Sequence, residues 1–408
     1  MKTLGIVLQG MKIGGCERAV SYISLSLNKY YNIKIIVFDD SDISFDYGGE
    51  LISLEQPSKK GVFNKIINSV KRVIKLKRVI KKNNIDILYI FLNPMNILNF
   101  YKPKRCKKFV SCRGFGDLLY GEKYNLYGIM TYFSDGIIFN SVEMREYFSK
   151  KYIKLSSKTH VVTNFFDFDM IGELAMEQIS KSDQVFIDTH KTIISVGRVC
   201  KEKNFINLVK AFEILKEKVD DAGLLIVGDG ELFGELKQFV GFSKYKEDIL
   251  LVGYQNNPYK FMKRCNLYAL SSENEGFPNV LIEAMGNGLP VVSSNCKTGP
   301  SEILYNDYVS DREVYDIVYA DYGILVPVMK EYSPQSKLSL SVSIEIFAKA
   351  LEVALINKDI ITRYGALSIE RAYMFDYKNN YKQIIDVLES KQGGMSDDNL
   401  WNVSKKTN

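Results

Sequence analysis

Histidine is almost absent from this chain of 408 residues, which contains only His160 and His190. This scarcity nearly excludes catalytic triads built on histidine and histidine-rich metal sites. The six cysteines lie far apart with no Cys-x-x-Cys pair, so we expect reduced thiols in a cytosolic protein. No apolar run is long enough to span a membrane, and the run at residues 4–8 is too short for a signal peptide.

The bulk composition is that of a soluble globular protein. Hydrophobic residues make up 46% of the chain and charged residues 25%, and the length suffices for two domains. The net charge of +6 is a mild excess, so its effect depends on where the cations lie.

Short apolar runs alternate with longer amphipathic ones, which is the pattern of βα units around a parallel sheet. We predict strands in the first half at residues 4–8, 33–38, 87–92, 108–112, 136–139 and 160–163. In the second half we predict them at residues 192–196, 224–227, 249–252, 267–270, 290–293 and 323–326. The predicted fold class is α/β, with two Rossmann-like domains facing each other across a cleft.

The polar stretch at residues 179–191 has no clear periodicity, and we place the domain boundary within it. The first domain then covers residues 1–185 and the second covers residues 186–372. A C-terminal helix at residues 373–391 is expected to pack back on the first domain. The polar residues 392–408 are expected to form a disordered tail.

The segment from Glu275 to Glu283, EGFPNVLIE, lies between an apolar strand and a helix-like run. Ligands of α/β sheets bind at such strand-to-helix loops. Pro278 suits the first turn of a helix, and the free N–H groups there can bind an anion. A phosphate flanked by two carboxylates indicates a ligand with both phosphate and hydroxyl groups. An ordinary loop with a first-turn glutamate explains the pattern equally well.

Three other loops that follow predicted strands carry groups suited to such a ligand. Arg198 and Lys203 follow one strand, and a forked guanidinium with a point-like ammonium suits a diphosphate. The pair Gly14-Gly15 opens the first helix, where glycine lets a ligand approach closely, and Gly253-Tyr254 could line a flat base. Solvated cations, a glycine turn and a core tyrosine are the plainer alternatives. Because all these loops follow parallel strands, they should crowd one edge of their sheet.

Together these loops resemble the GT-B fold retaining glycosyltransferases, the large glycogen-synthase-like and lipopolysaccharide or capsule glycosyltransferase family (glycosyl transferases group 1). The matching segments are residues 14–18, 195–198 with 201–204, 227–230, 275–283, 288–292, 299–304 and 322–327. The resemblance covers nearly the whole second domain and the first loop of the first domain.

The resemblance implies transfer of a hexose or N-acetylhexosamine from a nucleoside diphosphate sugar, with a UDP-sugar as the expected donor. The acceptor would be a hydroxyl of a lipid-linked or growing surface-polysaccharide chain, and the anomeric configuration would be retained. Arg198 and Lys203 would bind the diphosphate, Glu283 the ribose, and Glu275 would lie near the transferred sugar. The other implied donor-site residues are Gly15, Gly253, Tyr254, Gly276, Phe277, Asn279 and Val280. No metal or cofactor is expected, because the two cations neutralise the leaving diphosphate.

One departure from the family concerns Arg113. Many relatives carry a histidine after the strand that ends near Cys112, beside the transferred sugar, whereas this sequence has Arg113 followed by Gly114. Arg113 is therefore our second candidate catalytic residue, beside Glu275. It either holds the donor or an acidic acceptor, or it serves the structure.

Two motifs are expected to be unimportant for binding. Asp167-Phe168-Asp169 resembles the paired-acid metal motif of other sugar-nucleotide enzymes, but it lies away from the cation loop, so we do not expect a metal there. Gly228-Asp229-Gly230 resembles a phosphate loop, but two glycines after a strand usually form a turn.

Residues 65–82 form a basic amphipathic run without a single acid. At helical spacing, one side carries Ile66, Val70, Val73, Ile74 and Ile80, and the other carries Lys71, Arg72, Lys75, Arg78 and Lys82, with Lys77 breaking the pattern. A second basic cluster consists of Lys102, Lys104, Arg105, Lys107 and Lys108. Such a helix is typical of a protein on an anionic leaflet, although a domain helix with a solvated basic face has the same pattern.

We therefore expect a cytoplasmic protein that lies peripherally at the inner face of the membrane. Its expected partners are the nucleotide sugar, a lipid-linked or oligosaccharide acceptor and an anionic membrane surface, without nucleic acid. Nothing in the pattern indicates an oligomeric state. Two alternatives remain: a non-catalytic nucleotide-sugar-binding subunit of a glycosyltransferase complex, supported by the missing histidine, and a GT-B sugar-nucleotide epimerase or phosphorylase.

Overall fold

The computed structural model describes residues 1–12, 14–57, 62–92, 96–116, 118–119, 126–307, 309, 312–331 and 338–389. The chain forms two compact units. Unit 1 comprises Met1–Phe166 together with the chain from Phe375 onward, and unit 2 comprises Asp167–Met374.

Unit 1 is built on a seven-stranded parallel sheet in the order β3-β2-β1-β4-β5-β6-β7. Its strands are β1 Thr3–Leu8, β2 Asn32–Val37, β3 Glu50–Ser53, β4 Ile87–Phe91, β5 Lys107–Cys112, β6 Gly136–Phe139 and β7 Thr159–Val161. Strands β1, β4 and β6 are buried along their whole length. Covered on both faces, they consist of continuous apolar runs rather than alternating ones.

Five helices in the described part of the chain belong to unit 1. They are α1 Gly15–Leu27, α2 Val62–Lys82, α3 Leu126–Tyr132, α4 Val142–Lys151 and the last helix of the chain, α14 Tyr377–Glu389. Helix α14 packs on α1, and the Tyr31 hydroxyl donates to the Glu389 carboxylate at 2.9 Å. Two 3₁₀ turns, Ile97–Phe100 and Ile153–Lys158, complete the unit.

Unit 2 contains a second seven-stranded sheet in the order β10-β9-β8-β11-β12-β14-β13. Its strands are β8 Lys191–Val196, β9 Ala222–Val227, β10 Ile249–Gly253, β11 Leu267–Leu270, β12 Val291–Ser294, β13 Val318–Tyr319 and β14 Ile324–Val326. All neighbours pair in parallel except β13, which is antiparallel to β14. The strand order reverses between β8 and β11, which makes their carboxyl ends a topological switch point.

Nine helices in the described residues surround this sheet. They are α5 Phe168–Ala175, α6 Lys181–Thr189, α7 Phe205–Lys216, α8 Phe233–Gly241, α9 Tyr259–Met262, α10 Asn279–Gly286, α11 Pro300–Leu304, α12 Leu340–Ile356 and α13 Lys358–Tyr373. Two 3₁₀ turns lie at Lys201–Lys203 and Lys246–Asp248. Apolar side chains of α7 and α12 pack with those of the strands in one buried core.

The α/β prediction with two Rossmann-like sheets is confirmed, and each of the twelve predicted strands is present. Strands β3 and β13 were not predicted. No residue of either strand is fully buried, so neither has the apolar run on which the prediction relied.

The division between the units falls after Phe166, not within residues 179–191 as predicted. Helix α5 belongs to unit 2, because Asn257 donates to the Leu174 carbonyl at 2.7 Å and Arg264 to the Ala175 carbonyl at 3.1 Å. The polar stretch chosen as a linker instead forms α6, which Ser180 caps. Residues 392–408, the predicted tail, lie outside the described residues.

Helix α2 presents different faces from those predicted. Val73 and Ile80 pack against the core around Leu76, whereas Val70 and Ile74 are 47% and 45% exposed. The predicted apolar side is therefore divided between the core and the surface, and the side chain of residue 66 is outside the described part.

Two cations of the predicted solvated face of α2 are tied to the main chain of unit 1. Arg72 is only 8% exposed, donates to the Gln56 carbonyl at 2.7 Å and places its guanidinium 4.0 Å from the Phe38 ring centre. Lys75 donates to the Leu54 carbonyl at 2.6 Å. Carbonyl acceptors and an aromatic face compensate for the burial of these charges.

The second basic cluster also needs a correction at Lys108, which is completely buried. Its ammonium donates to the carbonyls of Tyr101, at 2.9 Å, and of Asn99. Burial lowers the pKa of Lys108 to about 7. None of the helices in the described ranges has the length and apolar character needed to cross a bilayer.

Candidate active site

The loops that follow β8 and β11 meet at the switch point of unit 2. The first carries Arg198 and Lys203, and the second carries Glu275. The Lys203 ammonium donates to Glu275 Oε1 at 2.6 Å, and both side chains are largely buried. The structure thus brings two of the predicted site residues into direct contact at the edge where α/β sheets bind ligands.

Lys203 is held in place by its own backbone. It ends the 3₁₀ turn Lys201–Lys203, and Asn204 follows in the left-handed region with φ 58° before α7 begins. The Asn204 side-chain amide donates to the Met329 carbonyl at 2.7 Å, and the Ser271 hydroxyl donates to the Lys203 carbonyl at 2.7 Å. Burial acts to lower the pKa of Lys203, but the charge and hydrogen bond of Glu275 outweigh it, so that this pKa is raised.

Glu275 is held by two hydroxyls besides Lys203. The Ser272 hydroxyl donates to Glu275 Oε1 at 2.6 Å, and the Thr298 hydroxyl donates to the Glu275 carbonyl. Gly299 has φ +100°, and a Cβ there would lie 2.3 Å from Pro278 Cδ. Only glycine therefore allows the loop after β12 to lie this close to the loop that carries Glu275.

Glu283 lies inside α10 and is 1% exposed. The Tyr259 hydroxyl donates to its Oε1 at 3.3 Å. Tyr268 on β11 is fully buried nearby, and burial raises its pKa, with further contributions from the charges of Glu275 and Glu283. Its side chain is thus close to both carboxylates that the sequence singled out.

The start of α10 differs slightly from the prediction. Pro278 precedes the helix as its cap, and Asn279 is the first helical residue. Gly276, Asn279 and Val280 are partly exposed, whereas Phe277 is buried. Three of the residues whose main-chain groups are predicted to touch the ligand are therefore partly exposed, and Phe277 is not.

The Gly228-Asp229-Gly230 segment has a larger role than the predicted turn. Gly228 has φ +149°, and a Cβ there would lie 1.8 Å from the Gly197 carbonyl oxygen. The Val199 amide donates to the Asp229 carbonyl at 3.0 Å. The segment therefore lets the loop after β9 pack directly against the loop that carries Arg198.

The remaining donor-site candidates in unit 2 lie at its surface. Arg198 is exposed. A main-chain hydrogen bond and a hydrogen bond from Cys200 lower the pKa of nearby Glu202, and the charge of Arg198 makes a smaller contribution in the same direction. Gly253 ends β10 with φ 69°. Tyr254 is 46% exposed and its hydroxyl donates to Asn256 at 2.6 Å, so it is not a core residue.

Gly15 and Arg113 belong to unit 1. Gly15 is the exposed first residue of α1. Arg113 Nε donates to the Ser111 hydroxyl at 2.9 Å, its Nη1 donates to the Asn164 side-chain oxygen, and its guanidinium lies 4.7 Å from the Phe91 ring centre. Arg113 is thus oriented by its own unit, with part of its surface accessible.

Asp167 has a structural task, since its side chain accepts a hydrogen bond from the Met170 amide at 3.0 Å and caps α5. Within the residues that the structure describes, no three His, Cys, Asp or Glu side chains are grouped as metal ligands would be.

Several contributors to the site were missed from the sequence, namely Tyr259, Tyr268, Ser271, Ser272 and Thr298. The two tyrosines lie in apolar segments, so their sequence context indicates core residues. Serine and threonine are common in loops and indicate no particular role. Only their position beside a predicted site residue could have drawn attention to them.

Residues 177–314, which include Arg198, Lys203, Glu275 and Glu283, match the family described as glycosyl transferases group 1. An uncharacterized glycosyltransferase of Methanocaldococcus jannaschii is 28% identical over 375 residues, covering 87% of this chain and 92% of the relative. A Campylobacter jejuni relative, 28% identical over 346 residues, covers 82% of this chain and 88% of its own. It is named N-acetylgalactosamine-N,N'-diacetylbacillosaminyl-diphospho-undecaprenol 4-alpha-N-acetylgalactosaminyltransferase.

Among solved structures, S. aureus TarM in complex with UDP and alpha-GlcNAc-glycerol superposes with a TM-score of 0.73 at 13% identity, covering 96% of this chain and all of that one. Its similarity concerns the fold, which is the two-unit GT-B architecture predicted from the sequence. Together, the match over residues 177–314, the glycosyltransferase relatives along most of the chain and this shared GT-B fold support a glycosyltransferase of the group 1 family.

Proposed function

We propose that the protein is a retaining, metal-independent hexosyltransferase. It transfers a hexose or N-acetylhexosamine from a nucleoside diphosphate sugar, with UDP as the expected nucleotide, to a hydroxyl of a lipid-linked or growing surface-polysaccharide acceptor. The observation that carries this proposal is the 2.6 Å contact between Lys203 and Glu275 at the switch point of unit 2. This contact supports the proposal because an ammonium suited to a diphosphate and a carboxylate suited to a sugar lie side by side.

The cations of this site suit the leaving group. Arg198 is exposed and offers a forked donor to the diphosphate, and Lys203 offers an ammonium from the same loop. Two positive charges stabilise the charge that develops on the diphosphate as it leaves, which removes the need for a metal. The partly exposed start of α10 adds main-chain N–H groups to the same anion.

In the proposed reaction, the bond between the sugar C1 and the diphosphate breaks while the acceptor oxygen attacks C1 from the same face. The acceptor proton passes to a phosphate oxygen of the leaving group, so no protein nucleophile is required. Glu275 positions the sugar and stabilises positive charge at C1. Arg113 is proposed to contact the donor or an acidic acceptor from unit 1, where Ser111 and Asn164 orient it.

Glu283 is proposed to bind the ribose hydroxyls. Because its carboxylate is 1% exposed and accepts from Tyr259, a ribose hydroxyl would have to replace part of its buried surroundings. A hydrogen bond to a carboxylate in such a site is strong, since the charge is poorly screened.

A lipid-linked acceptor and a membrane surface are supported by helix α2. Its exposed face carries three apolar side chains, Ile67, Val70 and Ile74, among the exposed cations Lys71, Lys77, Arg78, Lys81 and Lys82. Apolar side chains among cations suit the headgroup region of an anionic leaflet, where each cation contributes about 1 kcal/mol. The diphospho-undecaprenol in the name of the C. jejuni relative is an acceptor of this class.

A panel of nucleotide sugars, each incubated with the protein in the presence of EDTA, tests the proposal. We expect release of free nucleoside diphosphate from one donor, accelerated by a lipid-linked acceptor, and a product whose anomeric configuration by NMR equals that of the donor. No release from any donor would indicate a binding subunit, and an isomerised nucleotide sugar would indicate an epimerase. An inverted product, or release only with a divalent metal, would contradict the retaining or the metal-independent mechanism.

A further inference from the structure

We propose that Ser272 is a positioning residue for this reaction, which holds the Glu275 carboxylate in place for the sugar when Lys203 engages the diphosphate. The inference rests on the proposed function of the donor site. Ser272 was not among the residues predicted for that site.

Glu275 Oε1 accepts two hydrogen bonds in the structure. One comes from the Lys203 ammonium and the other from the Ser272 hydroxyl, both at 2.6 Å. For Glu275 Oε2, no hydrogen bond occurs within the described residues. Both donors therefore hold the carboxylate at the same oxygen, so that the second oxygen can accept a hydrogen bond from a bound sugar.

Once the donor binds, the Lys203 ammonium lies near two anions, the Glu275 carboxylate and the diphosphate. A diphosphate carries more charge than a single carboxylate, so the ammonium is drawn toward the diphosphate and its bond to Glu275 weakens. Ser272 then remains as the side-chain donor on Glu275 Oε1. A neutral hydroxyl is suited to this task because the diphosphate does not attract it as strongly as a cation.

Ser272 is itself firmly held. It is completely buried, and its carbonyl accepts a hydrogen bond from the Ser294 hydroxyl at 2.6 Å. Ser294 is the last residue of β12, so the neighbouring strand fixes the backbone from which Ser272 reaches Glu275. The hydroxyl of Thr298, in the loop after β12, holds the Glu275 carbonyl. Ser272 thus holds the Glu275 carboxylate and Thr298 holds the Glu275 main chain, and neither hydroxyl carries a charge that a diphosphate would attract.

A double-mutant cycle tests the inference, with Ser272→Ala, Glu275→Gln and the combined variant in the full-length protein. We measure kcat for nucleoside diphosphate release from the accepted nucleotide sugar, and Kd for the free nucleoside diphosphate. Ser272→Ala should lower kcat about ten- to a hundredfold, the range for a lost hydrogen bond to a charged group, and leave Kd unchanged. In the Glu275→Gln background the same substitution should have little further effect, because Ser272 acts through Glu275.

Ser293→Ala is the matched control. Ser293 is also buried, and its hydroxyl donates only to a main-chain carbonyl, that of Ser294, at 3.0 Å. We expect it to keep kcat, while Ser272→Thr, which restores a hydroxyl, should recover much of the lost rate. If thermal unfolding shows that Ser272→Ala does not fold, Ser272→Cys replaces it, since a thiol fills the space but donates weakly.

An unchanged kcat in Ser272→Ala would overturn the inference. So would a full additional loss in the Glu275→Gln background, or a rise in Kd that matches the fall in kcat. These results require an active wild-type protein, whereas a wild type that releases no nucleoside diphosphate overturns the proposed function and the inference with it.

Discussion

Two opposite charges at the centre of the candidate site are partners of each other. The Lys203 ammonium and the Glu275 carboxylate are both largely buried, and their contact at 2.6 Å compensates for the loss of water around each. Removing either partner leaves the other as an uncompensated charge. Substitutions of these residues are therefore expected to change both nucleotide affinity and the free energy of unfolding. The two effects need separate measurements.

Glu283 allows such a separation. Replacing its carboxylate by the amide in Glu283→Gln keeps the shape and removes a charge that is 1% exposed. We expect donor affinity to fall about ten- to a hundredfold, because hydrogen bonds from ribose hydroxyls to a carboxylate are lost. The thermal unfolding midpoint should not fall, since a buried charge disappears. Calorimetric titration with the nucleoside diphosphate and a thermal scan provide both numbers, and undiminished affinity would remove Glu283 from the donor site.

Lys108 gives unit 1 a predictable pH dependence. Its pKa is about 7 in the folded protein because of burial, and it lies near the ordinary lysine value of about 10.4 in the unfolded chain. Between these values the unfolded state binds more protons, so stability rises with pH from about 7 to 10 and is insensitive to this group below 7.

We therefore expect the wild type to gain about 2 kcal/mol of unfolding free energy, relative to Lys108→Met, between pH 7 and pH 9. Chemical denaturation of both proteins at the two pH values measures this difference. Parallel pH dependence in the two proteins would show that Lys108 does not have the lowered pKa.

At the scale of elements, the site depends on how closely neighbouring loops approach. The loop after β9 packs on the loop after β8 only because Gly228 lacks a side chain, and Gly299 has the same effect between the loop after β12 and the loop that carries Glu275. Serine and threonine hydroxyls then fasten these loops to one another. The geometry of Lys203 and Glu275 is therefore a property of four strand ends and not of one motif.

Gly228→Ala should disrupt this arrangement. The added Cβ would lie 1.8 Å from the Gly197 carbonyl oxygen at a φ of +149°, so the two loops must separate. We expect nucleoside diphosphate binding to be lost and the thermal midpoint to fall. Gly234→Ala is the control, because a Cβ at this position in α8 meets nothing within 4 Å and alanine favours the helix by about 0.5–1 kcal/mol. Equal behaviour of the two variants would contradict the packing role of Gly228.

Helix α2 supplies the element-scale test of membrane binding. The double variant Val70→Glu/Ile74→Glu places acids on the exposed apolar positions without touching the core around Leu76. We expect flotation with anionic liposomes at low salt to be lost, while donor turnover with a soluble acceptor is kept. Lys71→Glu/Arg78→Glu should weaken flotation in the same way, and wild-type protein that binds no liposome at any lipid charge would refute a membrane role for α2.

At the scale of the whole molecule, the two sheets share one plan. Each reverses its strand order beside its first strand, at β1 and β4 in unit 1 and at β8 and β11 in unit 2. Unit 2 adds β13, which is antiparallel to β14 and closes one edge. Most of the residues proposed to bind the donor lie on loops at the switch point of unit 2.

The sequence predicted the sheets well because buried parallel strands require continuous apolar runs, which are visible without a structure. It failed at β3, whose residues are not fully buried, and at the unit boundary, because a polar stretch reads the same whether it is a linker or the helix α6. The prediction also placed Arg72 on a solvated face of α2. Periodicity does not show that its guanidinium donates to the Gln56 carbonyl.

For the candidate site, the loops were predictable because each follows a strand, and parallel strands bring their carboxyl ends together. Side-chain contacts were not. Lys203 was expected to bind a diphosphate. Its pairing with Glu275 was not predictable, because the two residues lie 72 positions apart and no local sequence pattern connects them. The burial of Glu283 and the nearby Tyr268 likewise follow from the packing of α10 on the sheet.

The proposed function depends on binding of the donor diphosphate by the cations after β8. Calorimetric titration of UDP, GDP and ADP into the wild type, Lys203→Ala and Arg198→Ala/Lys203→Ala tests this binding. Lys201→Ala, which changes an exposed lysine of the same turn, is the control. We predict that one nucleotide binds the wild type and Lys201→Ala alike. Its affinity should fall about ten- to a hundredfold in Lys203→Ala and further in the double variant, as expected for lost charged hydrogen bonds. Binding of that nucleotide with undiminished affinity to the double variant would contradict the claim.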